Sequence, residues 1–244
     1  MPTDTLIALI LSLVGGEKGG GGKSFFAKLL IQYCIDRSIP FTAIETDRSN
    51  PDVAAVYPKY CDHAVFSEDD KQLFKADRIF EHAIEKPVIV SLPSQSHRAV
   101  SKWLEHNQLF EVAKQHKVSL VQWFVCTGRY DSVQLLIKSL EHYQDRMPHI
   151  IVRNWAFCDD WSHADEDPKL QKLIKKYQVK TIDLPELSYR EAYLIDKHRL
   201  NFGEAVESSQ LTLMGRQRVK NFLDNIYESI DSTEVFKVNE SEDK

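Results

Sequence analysis

The sequence predicts an α/β protein, a doubly wound and mainly parallel sheet flanked by helices. Three observations point there. Apolar runs of strand length alternate with amphipathic helical stretches along the whole chain. Six of the nine glycines (Gly15, Gly16, Gly19, Gly20, Gly21 and Gly22) crowd into one window, between the first apolar run and the first helical pattern. A length of 244 residues with 43% hydrophobic and 27% charged residues suits one sizeable core better than two small ones.

The first strand is the apolar run from Thr5 to Val14, and the first helix follows from Lys23 to Asp36, with Phe26, Leu29, Leu30, Tyr33 and Cys34 at helical spacing. Between them lies Gly15-Gly-Glu-Lys-Gly-Gly-Gly-Gly-Lys-Ser24. Glycine gathers where a backbone comes very close to something or takes left-handed dihedrals. Strand, glycine loop and helix start together make a phosphate cradle, because loop amides and a helix N-terminus direct donors at an anion. Lys23 would reach the β and γ phosphates, and the Ser24 hydroxyl would ligate Mg²⁺. The competing reading is a flexible linker that happens to carry two lysines, an odd insertion between a buried strand and an amphipathic helix.

Pro40 to Thr46 reads as a second strand, ended by the turn-forming stretch Asp47-Arg-Ser-Asn-Pro-Asp52. A carboxylate here can orient a water for in-line attack on a terminal phosphate; an Asx turn is the plain alternative. Residues 53–66 show no clear pattern and read as a mobile excursion. Asp70 to Lys86 is predicted helical, Pro87 to Pro93 a short buried strand, and Ser94 to Lys117 a helix. Further strands are predicted over Val118 to Cys126, His149 to Asn154 and Val179 to Leu184. Further helices are predicted over Asp131 to Tyr143, Lys169 to Tyr177, Tyr189 to His198 and Gln210 to Ile230. The acidic, aromatic loop Trp155 to His163 could anchor a partner or fold back over a bound base. The domain is expected to span residues 1–230, and the polar, acidic residues 231–244 to form a disordered tail.

The glycine loop does not meet G-x-x-x-x-G-K-[ST], because Glu17 stands at the first glycine. It does meet the variant K-G-G-x-G-K-[ST], as Lys18-Gly-Gly-Gly-Gly-Lys23-Ser24. In this it resembles the deviant Walker A ATPases of the ParA/MinD family, over roughly Leu6 to Val206. The resemblance implies a P-loop fold that binds ATP and Mg²⁺. It places nucleotide contacts at Gly19, Gly20, Gly21, Gly22, Lys23, Ser24 and Phe25, with Asn154 and Pro185 near the adenine. Lys18, Lys23 and Asp47 would act in phosphoryl transfer, and Glu45 would join Ser24 in holding the metal. Lys18 would reach across an ATP-dependent homodimer to the partner's phosphate.

One departure stands out. Where the family carries an Asp at the end of the third strand, this chain has Ser91, with Pro93 retained. Weak hydrolysis and nucleotide binding without hydrolysis both remain open. The family also implies a cargo such as plasmid DNA and a small adaptor protein. Arg216, Arg218 and Lys220 on the last helix could contact DNA phosphates or could simply be a solvated face.

The formal charge of -5 argues against a broadly basic surface but leaves room for a local patch. Cys34, Cys61, Cys126 and Cys158 are widely spaced, which suggests reduced thiols and no metal cluster. The first apolar run is too short to span a bilayer and lacks a signal peptide's basic flank, so a cytoplasmic protein is expected.

Overall fold

The computed structural model describes residues 6–16 and 19–239. Strand β1 (Leu6–Ile7) is followed by β2 (Ile10–Gly15), whose residues are all buried, and then by α1 (Lys23–Asp36). Next come β3 (Thr42–Glu45), α2 (Asp52–Val56), β4 (Cys61–His63), α3 (Asp77–Ala83) and β5 (Val88–Ser91). The chain continues through α4 (His97–His106), α5 (Leu109–Gln115), β6 (Ser119–Cys126), α6 (Tyr130–Tyr143) and β7 (His149–Asn154). Then follow α7 (Ser162–Asp165), α8 (Pro168–Tyr177), β8 (Lys180–Leu184), α9 (Tyr189–His198) and α10 (Phe202–Glu207). Helix α11 (Leu213–Thr233) and β9 (Val238–Asn239) complete the described chain.

Seven strands form one all-parallel sheet in the order β4-β3-β5-β2-β6-β7-β8. Parallel strands need crossovers, and helices supply them. On one face Phe26 and Leu30 of α1 share a hydrophobic core with Val219, Phe222 and Ile226 of α11. Other clusters are built from α3 to α5, around Trp103 and Leu104, and from α6 and α8, around Leu136, Leu140 and Leu173. With both faces covered, the central strands β2, β5 and β6 read as mainly apolar runs, as predicted.

The differences from the sequence reading have local causes. Residues 53–66 are not an excursion but hold the rest of α2 and the edge strand β4, whose three residues are too few and too polar to show periodicity. The stretch 94–117 is two helices, because Gln108 adopts φ 50° and turns the chain between α4 and α5. The helix expected over 70–86 opens as a 3₁₀ turn at Asp70–Ala76, its start capped by Asp69, which accepts from the Lys71 amide.

The boundary expected at 230 is also displaced. Asp231 accepts hydrogen bonds from the Tyr33 hydroxyl at 2.5 Å and from Arg37 at 2.6 Å. Phe236 is buried against Tyr33 and Trp123. An aromatic in the core outweighs the acidic composition around it, so the chain to 239 is part of the fold. Residues 240–244 lie outside the described residues.

Candidate functional site

Register decides which loops meet. Ser91 pairs with Val14 on one side and with Glu45 on the other, so β2, β3 and β5 end level with one another. The chain leaving all three enters one space beyond the carboxyl edge of the sheet, where ligands bind in doubly wound folds.

The glycine loop occupies that space. Gly22 is the N-cap of α1 at φ 93°, in the left-handed region. A Cβ there would lie 2.5 Å from Asn154 Nδ2, so a side chain at this position would have to displace Asn154. No side chain caps α1 at this end, which leaves its first amides for an anion. The loop opens on a cleft of about 580 Å³, bordered by Gly20–Phe25, Asp47, Ser94 and the last turn of α9. Lys23 is 7% exposed, and its Nζ donates to Ser94 Oγ at 3.1 Å. Ser24 lines the cleft beside it. Phe25 reaches the cleft and also packs edge-on against Phe202, tying the loop to α10.

Asp47 lines the cleft and holds an Asx turn, accepting from the amides of Ser49 and Asn50 at 2.9 and 3.0 Å. The two readings of this residue are therefore compatible: the turn aims the carboxylate loop. Glu45 is placed differently from the expectation of a metal ligand. It is 1% exposed and does not line the cleft. Its two oxygens accept from the amides of Asp47 and Val53, and burial raises its pKa despite those bonds. It braces the Asp47 loop instead.

Asn154 also departs from its expected role. It is buried beneath the glycine loop, donating to the Gly21 carbonyl at 3.1 Å and accepting from the Ala156 amide at 3.1 Å. It is a strut under the cradle and does not line the cleft. Pro185, half-buried after β8, does not line the cleft either. Glu17 and Lys18, which includes the predicted cross-dimer lysine, lie outside the described residues. The aromatic loop after β7 turns away from the cleft: Trp161 is buried in the cluster around α6 and α8, and Trp155 donates to Asp183.

The three cations of α11 do not form one patch. Arg218 pairs at 2.6 Å with Glu191 of α9, which is 2% exposed, and this holds the Glu191 pKa down to about 2. Arg216 and Lys220 line a different groove, together with Asp36, Glu207 and Asp224. The acidic neighbours cancel much of the field a phosphate backbone would feel.

The sequence reading passed over Ser94, Lys28, Asp196 and Arg199, all on the cleft. Lys28 follows Ser24 by four residues on one helix, and that spacing was legible. Arg199 has no such signal: it reaches the cleft because the chain turns left-handed at φ 52° after α9.

No family model matches the chain. Two curated relatives run along most of it. Protein MobD of Acidithiobacillus ferrooxidans is 24% identical over 206 residues, covering 82% of this chain and 88% of the relative. Protein TraL of Escherichia coli is 24% identical over 238 residues, covering 89% and 95%. Among solved structures, the septum site-determining protein MinD of Pyrococcus horikoshii, complexed with Mg-ADP, matches with a TM-score of 0.50 and 13% identity, covering 89% of this chain and 95% of that one. A Cyanothece McdA–ATP complex also matches at 0.50, with 12% identity and coverage of 92% and 97%. At such identities the likeness shows the fold, which is that of the MinD/ParA-type P-loop ATPases. No helix among the described residues is long and apolar enough to cross a membrane.

Proposed function

We propose that this chain is a single-domain ATP-dependent dimerisation switch of the ParA/MinD type. It positions or partitions a cargo, in the cytoplasm, through slow and partner-stimulated hydrolysis. The observation that carries the reading is the cradle: a left-handed glycine caps α1, and a buried lysine and a serine hydroxyl stand at the mouth of a cleft with Asp47 on its border. Relatives along nearly the full length, MobD and TraL, support a plasmid-related setting.

The residues present fit ATP and Mg²⁺. Gly20 and Gly22 have left-handed backbones that let the loop curl around a phosphate, and Lys23 supplies fixed positive charge. Among the described residues no group of three acidic, His or Cys side chains could hold a metal alone. Mg²⁺ suits such a site, since it binds through one or two protein oxygens and the nucleotide's own phosphates. Ser24 and Asp47 are among the protein oxygens that line the cleft. When bound, the ion would neutralise charge on the β and γ phosphates.

In this reading Lys18 contacts the phosphate of a second subunit and lowers the repulsion between two nucleotides facing each other. Lys18→Ala should leave nucleotide binding within about twofold of wild type while abolishing ATP-dependent dimers on a sizing column. Dimers that persist unchanged would refute the sandwich.

A second reading, a nucleotide-binding regulatory or assembly subunit with little hydrolysis, is favoured by Ser91. That residue is 2% exposed at the end of β5 and brings no charge where the family has a carboxylate. Phosphate release, measured with and without DNA and cell extract, separates the two. A cargo adaptor belongs to the first reading. Direct DNA contact through Arg216, Arg218 and Lys220 as a unit finds no support in their placement.

A further inference from the structure

The loop after β5 brings Ser94 to the glycine loop from 71 residues away, and the contact is specific. Lys23 Nζ donates to Ser94 Oγ at 3.1 Å, and a Cβ built on Gly19 would lie 3.4 Å from the same oxygen. The hydroxyl therefore sits against the phosphate loop and borders the cleft that Lys23 and Ser24 border. Gln95, the next residue, is left-handed at φ 59°, and Ser96 is buried, so the chain is turned sharply just after Ser94.

A serine hydroxyl has one hydrogen and two lone pairs. Here a lone pair is taken by the Lys23 ammonium. The ammonium's charge repels the hydroxyl hydrogen, which is directed away from Nζ. Among the described residues no acceptor takes that hydrogen. An aspartate in this region, as the family has at the position of Ser91, would be an acceptor only and would repel phosphate. Ser94 instead presents a donor beside the lysine expected to contact the β and γ phosphates.

We propose that Ser94 is a positioning and specificity residue that donates to the terminal phosphate of a nucleoside triphosphate, so that this chain distinguishes triphosphate from diphosphate through a hydroxyl. The proposal rests on the nucleotide-switch reading above. The hydroxyl orients Lys23 and reads the γ-phosphate in a single bridge, Nζ–H to Oγ and Oγ–H to phosphate oxygen.

The test is a pair of dissociation constants, for Mg-ATP and Mg-ADP, by calorimetry on the full chain with wild type, Ser94→Ala and Ser94→Thr. A hydrogen bond to a charged group predicts that Ser94→Ala weakens ATP about tenfold and ADP by less than about twofold. Ser94→Thr keeps the hydroxyl and should restore the wild-type ratio. An equal loss for both nucleotides, or no loss, overturns the assignment. Wild type that binds neither nucleotide would instead refute the parent reading, so the two failures are distinguishable. Thermal melts of the three proteins without nucleotide show whether Ser94→Ala is folded, and an intact melt with an unchanged ATP/ADP ratio counts against the proposal.

Discussion

Gly22 and Asn154 are predicted to be energetically coupled, and the size of the coupling follows from the geometry. In Gly22→Ala the alanine must hold φ 93°, which costs about 1–2 kcal/mol for an L residue. Its Cβ would also meet Asn154 Nδ2 at 2.5 Å, a separation that neither group tolerates. Asn154 must then move, and its bond to the Gly21 carbonyl is lost in a buried setting, adding about 1–2 kcal/mol. The single substitution should cost about 3 kcal/mol, or roughly 6–12 °C in Tm for a chain of this size. Asn154→Ala alone removes the bonds to Gly21 and Ala156 and should cost about 2 kcal/mol. In the double variant the clash is gone and only the backbone strain is added, so the total should be about 3–4 kcal/mol, short of the additive 5. Urea denaturation of the four proteins at matched slopes measures this directly. If the double variant equals the sum of the singles within about 0.5 kcal/mol, Asn154 is not the strut beneath the loop.

Two further outcomes concern charge. His149, the first residue of β7, is buried, its Nδ1 donating to the Met147 carbonyl and its Nε2 accepting from Ser139 of α6, both at 2.8 Å; burial lowers its pKa to about 4. The unfolded chain takes up the proton first, so stability should be full above about pH 6.5 and fall as pH drops towards 4, by on the order of 3 kcal/mol. Urea midpoints across that range should slope downward with acid in wild type and flatten in His149→Gln. Arg218→Ala should destabilise the chain, because the Glu191 carboxylate loses its cation. Adding Glu191→Gln should recover part of that loss in thermal melts; no recovery would mean that Arg218 acts through packing alone.

The fold was largely legible because its central strands are buried on both faces, as in β2, and helices such as α4 and α8 carry one apolar stripe. Legibility failed where tertiary context overrides local pattern. Strand β4 is held by pairing with β3, and its own three residues give no sign of that. Gln108 breaks a helix that composition alone would continue. Gly20–Gly22, Lys23, Ser24 and Asp47, singled out because phosphate chemistry demands particular residue types at fixed spacing, all line one cleft. Glu45 and Asn154 show the opposite. Each is a polar residue at the end of a strand, and sequence cannot tell whether such a side chain faces the ligand or the loop that holds the ligand.

That distinction bears on the missing carboxylate. Ser91 sits between Val14 and Glu45 in register, and its carbonyl accepts from the Thr46 hydroxyl at 2.6 Å, which fastens the end of β5 to the start of the Asp47 loop. An aspartate at 91 would be buried about as deeply as Glu45, in the strand directly beside it. Two carboxylates that close, with burial already raising the pKa of one, repel and are costly to keep ionised together. The chain keeps Glu45, whose two backbone bonds shape the Asp47 loop, and holds an uncharged serine next to it. The negative charge that remains on the cleft from this region is then carried by Asp47 and Asp52, while the β5 side contributes hydroxyl chemistry through Ser94. The acidic and the neutral halves of the site are in this sense one arrangement, set by the pairing of β3 with β5.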